Sequence, residues 1–241
     1  LFYHSGSDSA CVVDPGDAQP VEEALAQRGL TLSTILITHH HFDHVGGLEK
    51  LCATYAPKVY GPHNPGIAHL DQHLAAGDSI EVFGETFSVL EVPGHTLDHI
   101  AYFHDAEQPL LFCGDTLFAG GCGRVFEGTA PMMLQSLETL AALPTQTRVY
   151  CAHEYTLANL AFAKAAEPAN TALAERIVQA EAMRAKGEPT VPSSLSLELA
   201  TNPFLRCRTD ALRESLEQQG RLTDDTPEAI FATVRGWKDN F

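Results

Sequence analysis

Short runs of β-branched and apolar residues recur through the first 150 positions, and beyond residue 155 they give way to Ala-rich stretches with helical period. Residues 10–14 (Ala-Cys-Val-Val-Asp) read as a strand ending at Pro15-Gly16. A helix follows from Ala18, capped by Asp17 and stopped by Gly29. The run 34–38 has the composition of a buried strand; a helix over 47–55 and a strand over 58–61 come next. Residues 79–83 and 86–92 predict a hairpin around Gly84, and 100–103 and 110–113 two further strands. A helix over 131–143, with Thr129 as its cap, precedes a last strand over 148–151.

The later texture is different. Residues 156–166 and 171–186 predict helices, with Leu173, Ile177 and Ala180 on one face, and shorter helices are expected over 210–219 and 227–236. No strand-like run stands out after residue 155. The pattern predicts an α/β domain over 1–153 and a helical domain over 154–241. Composition changes this picture little: 44% hydrophobic and 19% charged residues describe a globular protein, and no apolar run approaches the roughly 20 residues of a membrane helix. The net charge of -16 argues against a nucleic-acid partner, because such binding rests on neutralising phosphates. Five of the 15 lysines and arginines lie in the first 160 residues, so the tail is relatively basic. Six cysteines stand at 11, 52, 113, 122, 151 and 207 without a C-x-x-C pair, which fits a reducing, cytoplasmic setting.

The chemistry concentrates just past the predicted strands. His39-His40-His41-Phe42-Asp43-His44 follows the run 34–38. If the chain stays extended there, His39 and His41 point the same way and His40 away from them. Three other strands each deliver one His or Asp just beyond their ends: His95 after Pro93-Gly94, Asp115 after Gly114, and His153 after Ala152. Ligands commonly gather outside the carboxyl ends of strands in α/β sheets. Seven groups are too many for one zinc ion, which takes four ligands, or three and a water. Two ions use the set: His39, His41 and His95 on one, Asp43, His44 and His153 on the other, with the Asp115 carboxylate between them. A water shared by two cations ionises near neutral pH and is the expected nucleophile. Zinc is the first expectation, with iron or manganese also suited to these donors. His4, His63, His69, His73 and His104 read as structural or surface residues, and His40 and His99 as packing or supporting ones.

These motifs resemble the metallo-β-lactamase superfamily, and within it the glyoxalase II family, the hydroxyacylglutathione hydrolases. The resemblance rests on residues 38–47, Pro93-Gly94-His95-Thr96, 114–118, Gly121-Cys122-Gly123-Arg124, His153-Glu154-Tyr155-Thr156, Asn202-Pro203-Phe204-Leu205-Arg206 and the terminal Arg235-x-x-Lys238-Asp239. It implies a four-layer αββα sandwich followed by a C-terminal helical domain. It also implies hydrolysis of S-D-lactoylglutathione to D-lactate and glutathione, the last step of methylglyoxal detoxification, by a monomer with a small-molecule thioester as its partner. Asp43 and Asp115 take catalytic roles alongside the water. Arg235 and Lys238 form a cationic patch for the glycine carboxylate of glutathione, with Arg124, Phe126 and Tyr155 lining the pocket. The leaving thiolate, of pKa near roughly 8.5, needs no strong general acid.

Three residues depart from the family pattern. Arg124 stands where Lys is common, Phe126 where Tyr is common, and Asp98 where Gly is expected; Asp tolerates the left-handed backbone that a Gly there would supply. The competing readings are a lactonase or a mono-iron glutathione persulfide dioxygenase of the same superfamily, an RNA-processing nuclease of this fold, and a non-catalytic metal-binding protein. The Arg235-x-x-Lys238 tail disfavours the first two and the acidic balance the third. Metal content with an esterase assay separates the last.

Overall fold

Asp17 accepts a hydrogen bond from the Gln19 amide and Gly29 adopts a φ of 67°, so the first helix, Ala18–Arg28, begins and ends where its cap and stop residues stand. In the computed structural model, which describes residues 1–4 and 6–241, this helix carries the chain from strand Ser9–Val13 to its parallel neighbour Thr31–Leu36. Strands Lys58–Pro62 and Gln72–Leu74 extend the sheet in parallel, and Phe2–Tyr3 closes its other edge antiparallel. Parallel pairing requires a crossover, which helices supply between the first three of these parallel strands and the helix-free segment 63–71 between the last two. Val21 and Leu25 of the first helix, with Leu48 and Leu51 of helix Leu48–Tyr55, pack on Ala10, Val12, Leu32, Ile35 and Val59.

The strand expected over 34–38 instead spans Thr31–Leu36. Its ladder starts early because Thr31 already faces Ser9. It ends early because other groups claim the backbone of the next two residues. The Ile37 carbonyl accepts from Tyr102 Oη at 2.8 Å, the Thr38 amide donates to Asp14 Oδ1 at 2.7 Å, and the Thr38 carbonyl accepts from the Ile100 amide at 2.9 Å. The expected hairpin forms from Ser79–Val82 and Glu85–Glu91, turning through Phe83 and Gly84 at φ 57° and 82°. Strand Ile100–His104 adds to it antiparallel. These elements make up one compact unit, Leu1–Glu91 with Asp98–Asp105.

The second unit comprises Val92–Leu97 and Ala106–Phe241. Strands Leu110–Gly114 and Arg148–Cys151 pair in parallel, and Ser193–Ser194 pairs antiparallel with the latter. That strand corrects the expectation of none after residue 155; two residues are too few to show a period of two. A small hairpin, Leu117–Phe118 with Gly121–Cys122, follows Asp115. Helices Ala130–Ala141, Thr156–Ala166, Thr171–Ala185, Asp210–Gln218 and Pro227–Asp239 match the expected ones within three residues at either end, and Thr129 caps the first through the Met132 amide. Leu173, Ile177 and Ala180 pack on Leu160 and Ala163. Helix Leu195–Thr201 and the 3₁₀ turn Pro203–Leu205 were not expected from the pattern. Among the described residues, no helix is long and apolar enough to cross a membrane.

Tyr102 ties the first unit together. It is fully buried, and its hydroxyl donates to the carbonyl of Ile37, two residues before His39. Burial raises its pKa well above the phenol's ordinary value, so the donor stays protonated. Tyr102→Phe strands that buried carbonyl and is expected to lower stability by about 1–3 kcal/mol, read as a lower denaturant midpoint at unchanged slope.

Candidate metal centre

In the first unit the ligand loop hangs from one carboxylate. Asp14, at the end of strand Ser9–Val13, adopts φ 48°, a left-handed conformation that Asp tolerates better than most residues. Its Oδ1 accepts the Thr38 amide, and its Oδ2 accepts both the Thr38 hydroxyl at 2.7 Å and His44 Nδ1 at 3.0 Å. Because the Thr38 hydroxyl gives its proton to Asp14, its oxygen accepts from His39 Nδ1 at 3.1 Å. Both imidazoles are thereby protonated at Nδ1, which makes Nε2 the nitrogen with the lone pair, the arrangement that metal-binding histidines use. Although Asp14, His39 and His44 lie within ligand distance of one another, Asp14 faces the Nδ1 side and acts as a support.

The same loop gathers the other donors. The ring of His39 lies 4.8 Å from that of His41 and 4.1 Å from that of His44. Asp43 and His44 sit in the one-turn helix Phe42–Val45, with His44 Nε2 3.7 Å from Asp43 Oδ2. Glycine is required beneath the loop: a Cβ on Gly16 would stand 2.0 Å from the Asp43 carbonyl oxygen. His99 stacks on His39 at 4.6 Å. His40 reaches Asp98 Oδ1 at 2.9 Å, and Asp98 Oδ2 accepts from Asn64 at 2.8 Å. Asp98 is not among the positive-φ residues, so the left-handed turn expected there does not form; the carboxylate is used as a clamp.

In the second unit Asp115 stands between two histidines. His95 Nε2 lies 3.5 Å from its Oδ2 and His153 Nε2 3.3 Å from its Oδ1. Donors bound about 2.0–2.1 Å from one tetrahedral ion stand roughly 3.3 Å apart, so each of these spacings fits two donors on a divalent cation. His95 Nδ1 donates to the Arg124 carbonyl at 2.8 Å, again leaving the lone pair on Nε2. His153 stacks on Tyr155 at 5.0 Å with the planes 18° apart. Burial pushes the Cys122 thiol up to about 11 and that of Cys151 up to about 12, and among the described residues the donor groups that could hold an ion contain no cysteine. The set is nitrogen and oxygen only, which suits divalent metals.

The residues implied for substrate contact also lie in this unit. Helix Pro227–Asp239 carries both Arg235 and Lys238. Arg235 is buried, with Nη1 donating to the Cys122 carbonyl at 3.0 Å and Nη2 to Asp239 at 3.0 Å. Arg124 is exposed and 3.6 Å from the same Asp239 carboxylate. Burial first, and then the charges of Arg235 and Arg124, hold the Lys238 pKa below its ordinary value. Phe126 is 62% exposed with its ring 5.2 Å from that of His95, and Tyr155 is 51% exposed.

Comparison with known proteins places this geometry. Residues 2–153 match the model of the metallo-beta-lactamase superfamily, and residues 154–241 that of the hydroxyacylglutathione hydrolase C-terminus. The chain is 53% identical over 242 residues to the hydroxyacylglutathione hydrolase of Pseudomonas aeruginosa, covering 100% of this chain and 94% of the relative. The chain belongs to the hydroxyacylglutathione hydrolase family. The enzyme of that name from Chromohalobacter salexigens is 52% identical over 241 residues, with 100% and 94% covered. Among solved structures, ETHE1 from Myxococcus xanthus aligns with a TM-score of 0.64 at 26% identity, over 99% of this chain and 91% of that one. TTHA1623 in a di-iron-bound form aligns with a TM-score of 0.57 at 28% identity, over 80% and 88%. The fold is therefore that of the metallo-β-lactamases with a helical C-terminal region, and the protein is a thioester hydrolase by family.

The structure brings His39, His41, Asp43 and His44 together in one unit and His95, Asp115 and His153 in the other. Sequence reasoning missed the supports: Asp14, Thr38 and the Arg124 carbonyl. Asp14 carried a signal, since it too is an acid placed just past a strand, before Pro15-Gly16. Asp14→Asn keeps its shape but removes the charge and one acceptor shared by Thr38 and His44. It is expected to weaken zinc binding by about 10–100-fold, measured by chelator competition, with the far-UV circular dichroism unchanged.

Proposed function

We propose that this chain hydrolyses S-D-lactoylglutathione and related S-2-hydroxyacylglutathiones to D-lactate and glutathione, using two divalent ions, zinc first. His39, His41 and His95 would hold one ion, Asp43, His44 and His153 the other, and Asp115 would be shared between them. The observation that carries it is the Asp115 carboxylate, whose two oxygens face two different imidazoles at 3.5 and 3.3 Å. When bound, such ions lower the pKa of water towards neutrality and polarise a carbonyl. The remaining work belongs to the chain. Asp43, exposed at the loop, accepts a hydrogen bond from the attacking water and turns its lone pair towards the thioester carbon. The departing glutathione sulfur leaves as thiolate without an acid.

Substrate positioning falls to the cations of the tail. Arg124, Arg235 and Lys238 form a local positive site on an acidic chain, which favours a small anion such as the glycine carboxylate of glutathione. Arg124 and Lys238 reach the substrate, while the buried Arg235 donates to the Cys122 carbonyl and adds its charge. Phe126 offers a face to the tripeptide but no hydroxyl. A cytoplasmic setting fits the six free thiols.

Hydrolysis of S-D-lactoylglutathione by metal-analysed protein tests this reading. Asp115→Ala is expected to abolish turnover and to release metal; full activity with one ion lost contradicts the bridging role. Oxygen uptake with glutathione persulfide, without thioester cleavage, selects the dioxygenase instead. Lys238→Met is expected to raise KM about ten-fold with kcat little changed. Because the Lys238 pKa is lowered, its proton is lost earlier as pH rises, so the parent KM should climb on the alkaline side and that of Lys238→Met should stay flat.

A further inference from the structure

The Asn202-Pro203-Phe204-Leu205-Arg206 motif lies far along the chain from every candidate ligand, yet its first residue joins a buried polar network that ends at the hairpin following Asp115. Glu198, fully buried, is the centre of that network. One carboxylate oxygen accepts from Arg176 and Ser193. The other accepts the Gly120 amide at 2.8 Å and the Asn202 side-chain amide at 3.1 Å. Asn202 Nδ2 also donates to the carbonyls of Phe118 and Gly121, at 3.2 and 2.9 Å. Asn159 takes the Ala119 carbonyl at 3.2 Å and Arg235 that of Cys122 at 3.0 Å. Every residue from 118 to 122 is thus held through its backbone by a side chain of the helical segment.

What those five residues connect gives the network its consequence. Asp115 lies just before them and Arg124 just after. The Arg124 carbonyl takes the Nδ1 proton of His95, and a Cβ on Gly123 would stand 1.9 Å from the Asp115 carbonyl oxygen. A shift of this hairpin by a few tenths of an ångström moves the Asp115 backbone and the acceptor that sets the His95 ring. A buried ion pair such as Arg176–Glu198 adds little stability over well-packed apolar residues, because desolvating both charges offsets their attraction. As a connector it does what apolar residues cannot: it gives the Gly120 amide a charged acceptor and orients Asn202.

We propose that Glu198 is a positioning residue for the metal centre: it locks the hairpin 117–122, and through it the placement of Asp115 and His95. The proposal rests on the two-ion reading above. Its test uses the full chain loaded with cobalt(II), read by its visible spectrum and by the half-life of the bound ions against a chelator. Glu198→Gln keeps the volume but presents NH₂ where one oxygen accepts. The expected result is a far-UV spectrum like the parent's, metal loss faster by about ten-fold or more, and altered visible bands. Asn202→Ala, which leaves the Arg176–Glu198 pair in place, should change the same two readouts in the same direction. A folded Glu198→Gln with the parent's half-life and spectrum overturns the proposal. If that variant does not fold, parent-like values for Asn202→Ala overturn it. A parent chain that retains no cobalt overturns the two-ion reading and this one with it, whereas a parent with two ions and unaffected variants overturns this one alone.

Discussion

An imidazole can bind a cation through only one of its nitrogens while the other is tied, and the choice of which nitrogen is tied governs this protein. His39, His44 and His95 each donate through Nδ1 to an oxygen whose position the fold sets: the Thr38 hydroxyl, the Asp14 carboxylate and the Arg124 carbonyl. Each bond selects a tautomer and a ring plane together. Strand ends are suited to this task. The backbone up to Leu36 is paired within a parallel sheet, and the next two residues are held by Tyr60, Tyr102, Ile100 and Asp14, so the first ligand leaves from a rigid stem.

The supports differ in cost between the two units. Around Asp14 they converge on one carboxylate, and the left-handed backbone at that residue is the main strain. In the second unit the hairpin after Asp115 buries Leu117, Phe118, Ala119 and Cys122, so its backbone polar groups are shut off from water and need partners. Buried polar groups from the helical region, Glu198 and Asn202 foremost, satisfy its backbone. Buried networks of this kind tolerate little loss, since each stranded partner costs its full desolvation. In the proposed function the helical region would serve twice, as a cationic contact site for substrate and as a brace for the ligands.

The legible parts of the fold were those written in local chemistry. Asp17, Gly29, Thr129 and the Phe83-Gly84 turn mark boundaries because caps and turns act within a few residues. The seven donors stood out because each follows an apolar strand. What escaped was set by distant contacts. The strand Thr31–Leu36 ends where Tyr102 and Asp14 intervene, and neither is near it in sequence. Ser193–Ser194 is too short to show a pattern. Glu198 looks like an ordinary charge on a helix face and is wholly buried, and Arg235, expected as an open cation, lies under the hairpin it holds. Asp98 gave a correct warning of departure with the wrong reason, since its carboxylate grips His40 and Asn64 and its backbone is ordinary.

The central claim is that two ions share these imidazoles and the Asp115 carboxylate. X-ray absorption on the zinc-loaded chain tests it most directly. The account predicts imidazole nitrogen and carboxylate oxygen at about 2.0–2.2 Å and a metal–metal vector near roughly 3.5–4 Å. Isolated zinc with no such vector, or sulfur ligation at about 2.3 Å, would contradict it.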